Sequence, residues 1–251
     1  MKKDIYLTIV IPSYNEEKNI RLGALEKVVS FLSKKDFFWE VLVVDDGSTD
    51  RSPKLIEEFI SDKEGFRLKK NTHQGKAGTV ISGMLDGRGK YILFTDLDQA
   101  TPIRELDKIL PLFKEGYDVV IGSRNGKREG APFLRAIMGP AFMFLRRIIL
   151  GLTDISDTQC GFKGFKKEAA EKIFHKLKLY GERKKVTGSQ VTAGFDVEVL
   201  YLAKILKYRV KEVPVEWHYI ETRRVNPVVD SLRGLLDLIR IRVNSIKGFY
   251  D

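Results

Sequence analysis

Short strand-like runs, most of them near-continuous in Val, Ile and Leu, alternate with helix-forming stretches through the first half of this chain. "IYLTIVIPSYN", "WEVLVVDDGSTD", the weaker "FRLKKN", "YILFTDLD" and "YDVVIGSR" read as strands. Between them residues 16–34, "SPKLIEEFI", "GKAGTVISGML" and "IRELDKILPLF" read as helices, with Ser52 as a candidate N-cap and Pro53 in the first turn. A strand that is apolar at consecutive positions has no solvent face. Its place is a parallel sheet covered by helices on both sides. The expected fold class is therefore α/β, with a mostly parallel central sheet.

Such a sheet binds ligands beyond the carboxyl ends of its strands. Four of these ends are polar here: "PSYNEE", "DDGSTD", "DLDQAT" and "GSRN". An Asp-x-Asp tripeptide arises by chance roughly once in a chain of this size, so Asp96 and Asp98 gain meaning only from standing at a strand tip.

The second half is less regular. Residues 132–152 read as an apolar, arginine-bearing helix, and "DTQCGFKGF" as a loop and a short returning strand. A basic helix over 167–178, the polar loop "YGERKKVTGSQVTAG" and the helix "FDVEVLYLAKIL" follow. In the strand "RVKEVPVEWHYI", Pro214 points to a sheet edge. The tail helix has Val228, Leu232, Leu235, Ile239, Val243 and Ile246 on one face. That stripe is expected to pack against the sheet. Contact with a membrane is the alternative, and the two can coexist. The expected division is a body over 1–226 and a C-terminal amphipathic helix over 227–251.

Composition narrows the partners. One cysteine, Cys160, excludes an internal disulfide and a cysteine-based zinc cluster, and it reads as a small buried apolar residue. The N-terminal apolar run is short and ends in "IPSYNEE", so it reads as a first strand and not as a signal peptide. No window approaches the ~18 apolar residues of a membrane span. A net charge of +10 fits nucleic acid, an anionic membrane surface, phosphorylated small molecules or a merely solvated basic surface. No zinc-finger spacing or RNA-binding aromatic signature is present, so nucleic acid is not expected.

A nucleoside diphosphate ligand needs carboxylates for a hard divalent cation, acceptors for ribose and base, and cations for the remaining phosphate charge. Asp96 and Asp98 suit the first task, Asp45 or Asp46 the second, and Arg124 the third as a bidentate donor. Lys76 is equally a diphosphate contact and a solvated lysine. His73 reads as a loop residue without a role. Asp196 and Glu198 are as readily helix-cap residues as site residues. No GxxxxGK[ST] or strand-following GxGxxG is present.

These tips, "IPSYNEE", "VVDDGSTD", "FTDLDQATP" and "VIGSR", together resemble the family-two inverting glycosyltransferases, whose fold is the GT-A nucleotide-diphospho-sugar transferase fold. In the second half, "DTQCGFKGFKKEAA", "GFDVEVLYLAKIL" and "VPVEWHYIETRRVNPVVDSLRGLLDLIRIR" look like the dolichyl-phosphate glucosyltransferases. The resemblance implies glucose transfer from UDP-glucose to a polyprenyl phosphate, with inversion, at the cytoplasmic face of a membrane. GDP-mannose or another donor, or a hydroxyl acceptor, are the alternatives. It implies that Pro12, Tyr14, Glu16 and Asp46 hold the nucleotide. Asp96 and Asp98 would hold Mg²⁺ or Mn²⁺, and Arg124, Arg135 and Arg223 would meet phosphates. Asp157 would orient the acceptor side or a neighbouring loop, with base catalysis as the alternative. A phosphate acceptor, with a second pKa near ~6, needs no strong base. Residues 136–150 and the tail could form an apolar platform whose arginines meet anionic headgroups.

Overall fold

The structure is a computed structural model that describes residues 4–124, 133–181, 193–218 and 227–251, with backbone alone for 133–141, 193 and 227–231. Its centre is a seven-stranded sheet of β1 (Leu7–Ser13), β2 (Trp39–Asp45), β3 (Phe66–Lys70), β4 (Tyr91–Thr95), β5 (Val119–Ser123), β6 (Phe162–Lys166) and β7 (Val210–Pro214). The strand order is β3-β2-β1-β4-β6-β5-β7. All pairings are parallel except those of β6, which runs antiparallel between β4 and β5. The chain winds outward from β1 to β3 and then returns to place β4 on the other side of β1. The order reverses there, and a crevice opens between the tips of β1 and β4.

The apolar runs explain the layers. Leu7, Ile9 and Ile11 of β1 face one side and Val10 faces the other, all without solvent exposure. On the first side they meet α1 (Glu17–Arg21), α2 (Ala24–Leu32), α3 (Ser52–Ile60) and α5 (Leu106–Lys114). On the second lie α4 (Gly75–Asp86), α6 (Phe133–Leu150), α7 (Lys167–Lys176), α8 (Ala193–Ile205) and α9 (Pro227–Ile246). β7 ends at Pro214 on the sheet edge, where a missing N–H costs no ladder bond.

Three local expectations need correction. The helix over 16–34 is two helices, broken where Gly23 takes a left-handed φ of 79°. Ser52 does not cap α3. It is buried in the first turn, where its Oγ accepts from Glu16 N–H (2.8 Å), tying the β1 tip to the β2 tip.

The third concerns α9. Most of its predicted apolar stripe does not face the sheet: Leu235 is half-buried, and the Val228 side chain lies outside the described residues. Leu232 (63%), Ile239 (47%), Val243 and Ile246 (72%) are exposed, joined by Leu236. The buried face is a second stripe of Gly234, Asp237, Leu238 and Ile241, keyed to the body by Tyr180–Asp237 (2.6 Å) and Tyr201–Ser245 (2.6 Å). Glycine at 234 lets Phe142 of α6 approach to 3.0 Å from where a Cβ would stand. Leu238→Ala should therefore lower unfolding stability by about 2–5 kcal/mol, while Ile239→Ala should leave it nearly unchanged. Chemical denaturation of the two variants checks this. Equal losses would contradict the assigned faces.

Candidate active site

The rim formed by the ends of β1, β2 and β4 collects carboxylates, and their partners sort them. Asp46 follows β2. Its Oδ1 accepts from Gln74 N–H (2.8 Å) and its Oδ2 from Gly75 N–H (2.9 Å) at the start of α4. His73 Nδ1 lies 2.8 Å from the same Oδ2, and the imidazole stacks on Tyr14 at 4.2 Å. The amides at a helix N-terminus favour a negative charge. Asp46 therefore fixes the α4 entry, and His73, expected as an idle loop residue, is part of that fixture.

Asp45 differs. One oxygen closes the turn by accepting from Gly47 N–H (3.1 Å) and Ser48 N–H (3.2 Å). Among the described residues its Oδ1 is buried without a partner, as are Ser13 Oγ and Asn71 Nδ2. These three atoms belong to one neighbourhood. Ser13 pairs with Asp45 across β1 and β2, and Asn71 N–H donates to the Asp45 carbonyl (2.8 Å). Unsatisfied buried polar atoms are costly and uncommon. An unsatisfied acceptor, donor and hydroxyl thus lie buried together around the tips of β1 and β2.

At the β4 tip, Asp96 makes an ion pair with Lys76 of α4 at 2.5 Å. Gly161 permits this carboxylate its position, since a Cβ there would stand 2.1 Å from Asp96 Oδ2. Gln99, at a left-handed φ of 54°, donates its side-chain amide to the Asp96 carbonyl (3.1 Å) and accepts from Ile103 N–H (3.2 Å). Asp98 accepts only from Ala100 N–H (3.0 Å) among the described residues. Burial, and then the neighbouring Asp96 charge, push its carboxyl above the ordinary value. Two crowded carboxylates fit a hard divalent cation, which would relieve that repulsion. No group of three or more metal-ligating side chains occurs among the described residues. The remaining ligands would have to come from a phosphorylated substrate and water, the usual arrangement for Mg²⁺ at phosphates.

Arg124, just after β5, is gripped by Asp157. Its Nε donates to Oδ2 (2.7 Å), its Nη2 to Oδ1 (2.8 Å) and its backbone N–H to Oδ2 (3.0 Å). Gln159 N–H adds a fourth bond at 3.0 Å. Burial alone would raise the Asp157 carboxyl, but these bonds and the guanidinium charge hold it far below the usual carboxylate range. It is an anchor with both oxygens engaged, unsuited to taking a proton. The Arg124 guanidinium also lies over Trp217 at 5.6 Å.

Lys163 of β6, fully buried, holds Asp196 of α8 at 2.6 Å, so both charges have partners. Glu198 is buried and accepts from the N–H groups of Lys178 and Leu179 and the Tyr250 hydroxyl, a structural post away from the rim. Cys160 is buried, 3.8 Å from Thr101 Oγ1. Pro12 pairs with Val44 near the end of β1, and the Glu16 carboxylate accepts from Asn19 (2.5 Å). The Arg135 side chain and all of Arg223 lie outside the described residues. Sequence reasoning missed Ser13, Asn71, Gln99, Gly161 and Lys163. Ser13 stands inside a quoted motif without a role of its own, Asn71 carries no motif, and a strand lysine gives no hint that it is buried.

The sequence profile of Glycosyl transferase family 2 matches residues 8–174. Full-length relatives extend the likeness. Dolichyl-phosphate beta-glucosyltransferase of Dictyostelium discoideum is 35% identical over 98% of this chain and 77% of its own length. The enzymes of that name from Saccharomyces cerevisiae and Homo sapiens are 34% and 33% identical, covering 99% and 96% of this chain and 77% and 76% of theirs. Among solved structures, Mycobacterium tuberculosis glucosyl-3-phosphoglycerate synthase with Mn²⁺, UDP and glucosyl-3-phosphoglycerate superposes with a TM-score of 0.65 at 18% identity, over 95% of this chain and 80% of that one. The mannosyltransferase PcManGT of Pyrobaculum calidifontis with GDP-Man and Mn²⁺ gives 0.61 at 19%, over 98% and 65%.

The Asp157 grip yields a pH signature. A carboxyl held below its ordinary value adds stability above that value and loses it as pH falls toward the folded one. Asp157→Asn should therefore destabilise the protein at neutral pH, with the gap to wild type closing below pH ~4. Thermal unfolding across pH reads this, and a gap that persists in acid would contradict it.

Proposed function

The chain belongs to glycosyl transferase family 2 and is a glycosyltransferase with the GT-A fold, and from that premise we propose that it moves glucose from UDP-glucose to a dolichyl-type polyprenyl phosphate. The observation that carries the donor assignment is the open trio of Ser13, Asp45 and Asn71. Uracil offers one imide N–H flanked by carbonyl oxygens. Asp45 Oδ1 matches the N–H, and Asn71 Nδ2 matches a carbonyl. Guanine offers two adjacent donors and would want both carboxylate oxygens, but the second is closed by Gly47 and Ser48. This favours a uridine over a guanosine donor. Pro12, Tyr14 and Glu16 lie at the β1 tip beside this trio.

With the base at β2, the diphosphate reaches the β4 tip. Asp96 and Asp98 would hold Mg²⁺ or Mn²⁺, and the metal would supply charge neutralisation for the departing diphosphate. Lys76 is placed to leave Asp96 for a phosphate oxygen, and Arg124 presents its guanidinium from the β5 side. An oxygen of the acceptor phosphate attacks the anomeric carbon from the face opposite the diphosphate. The carbon–oxygen bond to UDP breaks, and the configuration inverts. The acceptor is already dianionic near neutral pH, so no side chain need take its proton. The protein's part is alignment and charge stabilisation. Arg135 and Arg223 are proposed to meet the acceptor phosphate.

A polyprenyl tail stays in the bilayer, so the enzyme works at a membrane surface, on its cytoplasmic face. The supporting feature is the face shared by α6 and α9, which pack on one another. Phe144 and Ile148 of α6 and Leu236, Ile239 and Val243 of α9 stand exposed. Arg147, Arg233, Arg240, Arg242 and Lys247 are exposed on the same two elements and the turn after them, complementary to anionic headgroups. No helix among the described residues is long and apolar enough to cross a membrane, which leaves a surface mode of contact.

The direct test supplies labelled UDP-glucose, polyprenyl phosphate and Mn²⁺. Label should enter the solvent-extractable lipid, disappear with chelator, and disappear in a folded Asp98→Ala variant. An active Asp98→Ala enzyme would overturn the metal assignment. For the membrane face, the protein should float with phosphatidylcholine vesicles carrying phosphatidylserine, and a Leu236→Ser/Ile239→Ser/Val243→Ser variant should remain in the dense fraction. A wild-type protein that floats with neither neutral nor anionic vesicles would refute it.

A further inference from the structure

Arg124 is held by Asp157, but Asp157 stands on an irregular loop between α6 and β6, and a carboxylate on a loose loop is a poor anchor. Two charged side chains from distant parts of the chain close on that loop from opposite chemical sides. Arg146 of α6 is 2% exposed, and among the described residues its guanidinium bonds to no carboxylate. Its Nη1 donates to Thr158 Oγ1 (2.9 Å), and its Nη2 donates to the Ile155 carbonyl and, at 3.5 Å, to that of Ser156. Glu212 of β7 takes the amides. Its Oε2 accepts from Ser156 N–H (2.7 Å) and its Oε1 from Asp157 N–H (2.6 Å).

The loop is thus bracketed, with a cation on its carbonyls and an anion on its amides. A buried guanidinium is expensive, and one without a carboxylate partner is more so. Among the described residues its Nε is left without a partner as well. Packing alone would be better met at position 146 by an apolar side chain, as at neighbouring Leu145 and Leu150. The arrangement makes sense if the return is the fixed position of the 155–158 backbone.

We propose that Arg146 and Glu212 are positioning residues that act through the 155–158 loop and Asp157 to hold the Arg124 guanidinium in its working orientation. Neither side chain is placed on substrate. The geometric claim stands without any substrate. Its consequence for catalysis rests on the transfer reading above, in which Arg124 stabilises phosphate charge. A guanidinium held by two parallel bonds on a rigid base is preorganised, and a shift of a fraction of an ångström lowers rate more than binding.

The test reads Arg124 directly. Its Nε–H donates to Asp157, so it should appear in ¹⁵N spectra as a slowly exchanging arginine signal, assigned by its absence in Arg124→Lys. In Glu212→Gln, which keeps the volume and removes the charge, and in Arg146→Lys, which keeps the charge and removes the fork, exchange of that signal should accelerate by about tenfold or more. In parallel, sugar transfer should fall in kcat by up to about a hundredfold, with UDP affinity by calorimetry little changed. An Arg124 signal as protected in Glu212→Gln as in wild type would overturn the proposal even if Arg146→Lys does not fold. Loss of protection in a protein that transfers no sugar would leave the positioning claim standing and fault the functional reading instead.

Discussion

Everything at the rim of this sheet follows from charge crowding. A parallel sheet delivers all its strand ends to one edge, and here that edge receives Asp45, Asp46, Asp96, Asp98 and Asp157, with Asp196 alongside on α8. Carboxylates this close and this buried repel one another and lose water, so each must be answered. Asp46 is answered by the N-terminus of α4, Asp157 by Arg124, Asp196 by Lys163 and Asp96 by Lys76. Asp98 and one oxygen of Asp45 are not answered in kind. The distinction separates scaffolding from site. Asp46, Asp157 and Asp196, answered in this way, hold loops in place, while Asp98, Asp45 and the Asp96–Lys76 pair are where we propose that a cation and a base complete the electrostatics.

The fold was legible because the information is local. Consecutive apolar residues in β1, β2 and β4 exclude a half-exposed strand, and the polar tips mark the working edge. The roles of individual aspartates were not legible. Asp45 and Asp46 are neighbours in one motif, yet one closes a turn and keeps an unsatisfied oxygen while the other accepts from the amides at a helix start. The difference lies in where Gln74 and Gly75 arrive, nearly thirty residues later. Asn71 and Gly161 depend likewise on contacts across the sheet.

The tail helix illustrates the limit of periodicity. α9 carries two apolar stripes, and the pattern alone ranks the one with the larger side chains as the inner face. The structure buries the other, because Gly234 permits close approach to α6 and because Asp237 and Ser245, polar in sequence, find tyrosine hydroxyls. A helix with an apolar outer face, packed on an α6 that also exposes apolar side chains, fits the lipid acceptor proposed above. Through Arg146 that same α6 reaches the loop behind Arg124, so one helix serves both the outer surface and the site.

The central claim is that Asp98 and Asp45 Oδ1, left unanswered at the rim, take the donor, with Asp96 released from Lys76 to join Asp98. Crystals grown with UDP and Mn²⁺ test it most directly through the anomalous signal of the metal and the difference density of the base. The account predicts manganese between Asp96 and Asp98, Lys76 withdrawn from Asp96, and the uracil imide on Asp45 Oδ1. Manganese elsewhere, or a base bound through Asp46 with Asp45 Oδ1 still open, would contradict it.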